Sequence, residues 1–347
     1  MMSPEEIRAA LAQSFVVGLQ GPTPLAEELE MVGDKGLGGV ILFKRNCEGP
    51  EQVWRLNRDL RRAAEQAGNP TLFAMVDQEG GTVARLKGDF THDPDFCELG
   101  DKDEKALYDH GLRLGRELSL AGFNWNLAPV LDVHGLPDGV MARRSLGSDP
   151  QVVGRLGAAY IKGQQKAGVL ACGKHFPGLG RTTKDTHKER PIVDLSAPEL
   201  AAMELIPFER AIQAESAGIM VCHAVFSSID PTLPASLSPK ISEGLLRRQM
   251  GFKGLILSDD LEMGALAANL DPAGAAVKAY QAGVDLLLIC HRAEYALAAL
   301  DELVDKALKR QISQERIQKG LKRILTYKEN LPARFPELAE LNQALKA

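Results

Sequence analysis

Eight short runs of β-branched and other apolar residues recur along these 347 residues, and segments of helical period fall between them. The runs are 15–19, 39–43, 72–76, 124–133, 169–175, 219–225, 255–258 and 284–289. Strands that read as continuous apolar runs are buried on both faces, and helical crossovers between them are what covers a parallel sheet that way. The helical segments have the length for such crossovers: 51–65, 104–121, 150–167, 197–215, 239–249 and 272–282. Ser196 with Glu199 offers a capping box for one of them, and Asp271 followed by Pro272 opens another. Eight strands favour closure. An open, doubly wound sheet usually has fewer, and no glycine-rich dinucleotide fingerprint follows the first run. The sequence therefore predicts an α/β fold, a single (β/α)8 TIM-type barrel. Two further helical stretches, 293–309 and 314–327, precede a proline-interrupted tail from Leu331. With no repeat and no Gly/Ser-rich joint, the chain reads as one domain over 1–347, with 313–347 as a C-terminal helical extension that caps it.

Composition narrows the partners. Basic side chains number 41 against 46 acidic ones, a formal charge of −5, so no electrostatic footprint for nucleic acid is present. The start of the chain carries Glu5 and Glu6 where a secretory signal needs basic residues and an apolar run. Ser3, Pro4 and Glu6 instead fit a helix start with a capping box. No apolar run approaches the roughly 18 residues of a membrane span, so a membrane is not an expected partner. Five cysteines, odd in number and without short spacings, read as reduced thiols. A cytoplasmic location is the expectation.

In a (β/α)8 barrel chemistry sits at the C-terminal ends of the strands, so polar residues that end apolar runs are the candidates. The third run ends in Asp77-Gln78-Glu79-Gly80-Gly81, and the fourth reaches Asp132. The fifth ends in Lys174-His175, the sixth in His223, and the seventh in Ser258-Asp259-Asp260. Any one of these fits an ordinary polar strand end; five together point to a site. The connection after the fifth run is long and rich in Gly and Pro, and it carries Asp185-x-His187. That spacing fits a hydrogen-bonded turn, and it also fits an acid–base dyad in which Asp185 orients and polarises His187.

Lys174-His175-Phe176-Pro177-Gly178 with Asp185-x-His187, then Leu257-Ser258-Asp259-Asp260-Leu261-x-Met263, resembles the glycoside hydrolase family 3 β-N-acetylglucosaminidases. Val76-Asp77-Gln78-Glu79-Gly80-Gly81 with Arg85, the stretch from Asn126 to Val133, and Arg144-Ser145-Leu146-Gly147-Ser148-Asp149-Pro150 follow the family's order, and the likeness covers roughly residues 10 to 330. The resemblance implies a single barrel and a two-step retaining mechanism without a cofactor. It casts Asp259 as nucleophile and Asp185 with His187 as the dyad that replaces the usual carboxylic acid. Asp77, Arg85, Arg144, Lys174 and His175 take the place of residues that grip a terminal N-acetylglucosamine. The implied substrate is a small carbohydrate, the peptidoglycan fragment N-acetylglucosaminyl-β-1,4-anhydro-N-acetylmuramic acid with or without its peptide, cleaved in the cytoplasm during cell-wall recycling.

The residue chemistry agrees. Retention needs an ionised carboxylate below the anomeric carbon and a proton donor beside the leaving oxygen. Asp259 at a strand end can supply the first and His187 on a loop the second. Arg85, Arg144 and Lys174 donate to hydroxyls, Asp77 accepts, and an anionic substrate carboxylate would suit basic groups in an acidic protein. Other chemistries compete. His175, His187 and His223 with Asp259 could surround a zinc, which would make a metal-dependent barrel hydrolase. Lys174 could form a Schiff base. A sugar-binding relative without catalysis would lack the three acid–base residues that stand here. Because a neutral histidine does not repel phosphate, phosphorolysis is an alternative to hydrolysis in the second step. Three positions depart from the family pattern: Thr82, Leu179 and Arg181. Strand alternation predicts that Asp259 and Asp260 point to opposite sides, with one of them facing the pocket.

Overall fold

The computed structural model describes residues 2–135, 139, 141–182, 191–267 and 270–346. Eight parallel strands form one sheet: β1 (Phe15–Gly18), β2 (Gly39–Leu42), β3 (Phe73–Val76), β4 (Trp125–Asn126), β5 (Leu170–Phe176), β6 (Gly218–Val221), β7 (Leu255–Ser258) and β8 (Leu287–Ile289). Neighbours pair in chain order, and β8 returns to pair with β1. The remaining seam is joined too. Ser258 N–H donates to Leu286 O (2.9 Å) and Leu261 N–H to Leu288 O (3.0 Å), so the sheet closes into the expected barrel.

Three strands are shorter than their apolar runs by three residues or more. In β4 the ladder stops after Asn126 because Pro129 has no N–H to give. The chain still runs beside β5: the carbonyls of Ala128 and Pro129 accept from Cys172 and Lys174, and Leu131 N–H donates to Lys174 O. β6 ends at Val221, and Val225–Phe226 pairs instead with Ile192–Val193 and Asp230–Pro234 in a small second sheet. β8 begins at Leu287, because the Asp285 carboxylate takes Ile256 N–H (3.1 Å) and two guanidinium groups, Arg247 and Arg323. The expected helix 197–215 is two, Ala197–Ala202 and Leu205–Gln213. Pro207 explains the break, since its ring would strike the carbonyl of Met203 four residues back. Lys240–Gln249 is wound wide, with Gly244 N–H donating to Pro239 O and Met250 N–H to Leu245 O. Pro50–Gln66, Glu104–Leu120, Pro150–Lys166 and Pro272–Ala282 lie within one or two residues of expectation. Ser3 and Glu6 form the capping box that opens Pro4–Ala12.

The core has two parts. One lies between strands and helices; the other fills the barrel, where Trp125 meets Phe73 edge-on with ring centroids 4.9 Å apart. Helix Gln314–Glu329 closes the N-terminal mouth. Its Ile324 joins the interior cluster, and Lys328 Nζ donates to Gln13 Oε1 and Gly38 O, both at 2.7 Å. Burial pushes the Lys328 amine down to about 7. Gly218 makes room for the indole: a Cβ there would stand 2.7 Å from Trp125 Cζ2 and 2.9 Å from Leu257 Cδ1. Gly218→Ala should therefore cost about 1–3 kcal/mol through overpacking. Urea unfolding should show a lower midpoint at unchanged slope, and an unaltered midpoint would mean the barrel interior is looser than its contacts indicate.

Candidate active site

At the C-terminal end of the barrel the strand ends surround a cavity of about 170 Å³, floored by Ile41, Leu127, Met220 and Leu288. Lys174, near the end of β5, is 2% exposed and lies between two carboxylates. Its ammonium donates to Asp77 Oδ1 at 2.6 Å and pairs with Glu79 Oε1 at 2.7 Å. Glu79 is in turn held by Arg144 through two bonds, Nε to Oε2 and Nη2 to Oε1, both 2.8 Å. Burial alone would raise the Glu79 carboxyl, but Arg144 and Lys174 outweigh it and hold it far below the usual carboxylate range. Likewise burial disfavours the Lys174 charge, yet Asp77 and Glu79 raise the amine above its ordinary value. Lys174 is thus a cation bound by acids, the opposite of the neutral amine that Schiff-base chemistry requires.

Behind this network stands Asp132, fully buried. It accepts the backbone N–H of His175 (3.2 Å to Oδ2), that of Leu179 (2.6 Å), and the His175 Nδ1 proton at 2.7 Å. Arg144 Nη2 lies 3.4 Å from His175 Nε2 and can only donate, so Nε2 accepts and the ring proton belongs on Nδ1. Arg85 is held through its backbone, which donates to Gln78 Oε1 at 2.8 Å, while its guanidinium stands 3.9 Å from Asp77 Oδ2. The five expected sugar-gripping residues, Asp77, Arg85, Arg144, Lys174 and His175, therefore line one cavity.

Asp259 lines it as well, from the end of β7. Its Oδ1 accepts Asp260 N–H at 2.8 Å, and among the described residues no ion pair engages it. The expectation that Asp260 turns away is corrected: it lines the same cavity. β7 ends at Ser258, so the pleat no longer alternates the two side chains, and Asp260 Oδ1 instead caps the N–H groups of Glu262 and Cys290. His223 is spent structurally, with Nδ1 2.7 Å from Ser236 Oγ and Nε2 2.8 Å from Asp260 O. His175 and His223 thus serve different elements, and among the described residues no group of three or more His, Cys, Asp or Glu is placed to hold a metal ion. Asp185 and His187 lie outside the described residues. Sequence reasoning collected Glu79 and Asp132 as strand-end acids without their roles, and it missed Phe43 and His291, which also line the cavity.

Because the Glu79 carboxyl is depressed in the fold, its stabilising contribution is present above its ordinary value of 4.5 and fades as pH falls below it. Glu79→Gln should cost about 3–5 kcal/mol at neutral pH by leaving Lys174 and Arg144 without a shared counter-charge. The deficit should narrow at pH 3, where the wild type has begun to lose the same term. Urea unfolding of both proteins at the two pH values checks this; an equal deficit at both would contradict the ion-pair account.

The chain is similar to known proteins over most of its length. Residues 5–327 match the family described as glycosyl hydrolase family 3 N terminal domain. A protein of Thioalkalivibrio sulfidiphilus named beta-hexosaminidase is 36% identical over 300 residues, 84% of each chain. One of the same name from Stenotrophomonas maltophilia is 34% identical over 304 residues, 85% of each. Among solved structures, a glycoside hydrolase family 3 beta-N-acetylglucosaminidase from Paenibacillus sp. superposes with a TM-score of 0.90 at 33% identity, covering 98% of this chain and 67% of that one. A beta-N-acetylhexosaminidase from Beutenbergia cavernae gives 0.87 at 30% identity, covering 95% and 99%. With this likeness across the chain, a barrel whose strand ends bring Asp77, Arg85, Arg144, Lys174 and His175 to the same cavity as Asp259 is a member of glycosyl hydrolase family 3 and a glycoside hydrolase.

Proposed function

We infer that the chain is a retaining exo-β-N-acetylglucosaminidase that removes terminal N-acetylglucosamine from β-1,4-linked anhydro-muropeptides in cytoplasmic cell-wall recycling. One observation carries the reading: Asp259 offers a carboxylate without a cationic partner among the described residues, across a small cavity from Lys174, Arg144, His175 and Asp77. The beta-hexosaminidase name of the similar proteins supports the same sugar. In the proposed mechanism the network from Asp77 to Arg144 binds the sugar hydroxyls, and Asp259 attacks the anomeric carbon. Its Oδ1 keeps the Asp260 N–H, which fixes the carboxylate's orientation. His187, polarised by Asp185, protonates the departing oxygen and then deprotonates the water that releases the sugar.

Two experiments test these roles. A 5-fluoro glycoside of N-acetylglucosamine should leave its label on Asp259, read by peptide mass spectrometry; a label on Asp260, which shares the cavity, would move the nucleophile by one residue. For the acid, leaving-group dependence is diagnostic. A sugar alkoxide needs a proton in the transition state, whereas a nitrophenolate departs with little help. His187→Ala should slow single-turnover cleavage of the disaccharide by about 10²–10⁴-fold and that of the nitrophenyl glycoside clearly less. Equal losses on both would assign His187 to binding or structure.

A further inference from the structure

Around the cavity mouth the side chains change character. Lys174 and His175 are buried, whereas the His291 side chain, just past β8, is 56% exposed. His291 stacks on Phe43 with ring centroids 5.9 Å apart and planes 24° from parallel. The Arg45 and Arg85 guanidinium carbons stand 4.8 and 5.7 Å from the same Phe43 ring. One aromatic platform thus gathers two guanidinium groups and an imidazole on the rim. The carboxylates facing the imidazole are Asp260, 3.5 Å from Nε2, and Glu262, which is occupied by the N–H groups of His291 and Arg292 and by the Arg292 side chain. Arg45 is the cation facing it from beyond β2, and its donors go to the carbonyls of Leu19 and Cys290.

We propose that His291, on the Phe43 platform beside Arg85, contacts the leaving group and selects substrates whose leaving group carries a carboxylate. The proposal rests on the exo-glycosidase reading above. In an exo-glycosidase the terminal sugar takes the closed end of the pocket, where Lys174 and His175 are buried, and the leaving group extends to its open side, where the His291 side chain is exposed. Glu262 fixes the turn by its backbone bonds, and the imidazole, with Nε2 facing Asp260 and one face on Phe43, keeps more than half of its side-chain surface open to a ligand. The hydrogen bond with Asp260 raises the affinity of His291 for a proton, so the contact is cationic at lower pH and loses its charge as pH rises above that raised value.

The test compares N-acetylglucosaminyl-β-1,4-N-acetylmuramic acid with its methyl ester, a pair that differs by the charge and one methyl group, alongside neutral chitobiose. In the wild type at pH 6 kcat/KM should favour the acid over the ester by about three- to tenfold, the range of a partly exposed charged contact. The preference should shrink as pH is raised. His291→Gln, folded as judged by an unchanged thermal midpoint, should bring the ratio close to one while losing less on chitobiose. An acid-to-ester ratio of one in the wild type, or a ratio that His291→Gln leaves intact, overturns the contact with the exo-glycosidase reading still standing. Cleavage of chitobiose but of neither muramyl substrate overturns the muropeptide reading, and the contact with it.

Discussion

A buried ammonium held between two acids organises the whole functional end of this barrel. Lys174 reaches from β5 to Asp77 and Glu79 just beyond β3, and Glu79 passes the connection on to Arg144. Removing four charges from water costs several kcal/mol each, and the attraction between them offsets that only where every partner is close and hydrogen-bonded. Here each close contact is between 2.6 and 2.8 Å. Such a network contributes little net stability compared with an apolar core, so its value lies in position. Donors and acceptors already fixed in place need no reorganisation when a sugar hydroxyl replaces water.

Among the described residues, partners distinguish Asp259 from the acids around it, as the proposed nucleophilic role calls for. Asp77 and Glu79 are consumed by cations, and Asp132 by the backbone and ring of His175. Among the described residues Asp259 receives a backbone N–H and no cation, which orients it without cancelling its charge. A carboxylate oriented by neutral dipoles keeps more of its nucleophilic character than one paired with a guanidinium, because no ion pair has to break before it attacks. The four acids Asp77, Glu79, Asp132 and Asp259 thus differ by the partners that hold them among the described residues.

How far the sequence carried this picture follows from what each signal encodes. Apolar runs mark strands well where the ladder is regular, as in β2, β3 and β7, and fail where backbone chemistry interrupts it, as at Pro129 and Asp285. The small sheet of Ile192–Val193, Val225–Phe226 and Asp230–Pro234 escaped notice because two of its strands are two residues long and the third carries two prolines. Motif spacing brought Asp77, Arg85, Arg144, Lys174, His175 and Asp259 to one cavity, since each ends or follows a strand. Pairings were not legible. That Lys174 serves Glu79 as well as Asp77 depends on cross-barrel register. The alternation rule misplaced Asp260 for a related reason, since it holds only inside a ladder and β7 stops one residue before Asp259.

The three positions that depart from the family pattern have partners of their own. Thr82 donates its backbone N–H (2.7 Å) and its hydroxyl (3.0 Å) to Asp95 Oδ1. Leu179 is buried, and its N–H goes to Asp132, so its contribution is backbone and packing rather than a polar side chain. Arg181 stands 3.4 Å from Glu204, whose carboxyl is raised to about 7 chiefly by burial, with Asp132 adding repulsion and Arg181 opposing both. An acidic residue at 181 would add like-charge repulsion to the burial of Glu204 and raise its carboxyl further. The arginine therefore opposes, without cancelling, the effect of burial on Glu204.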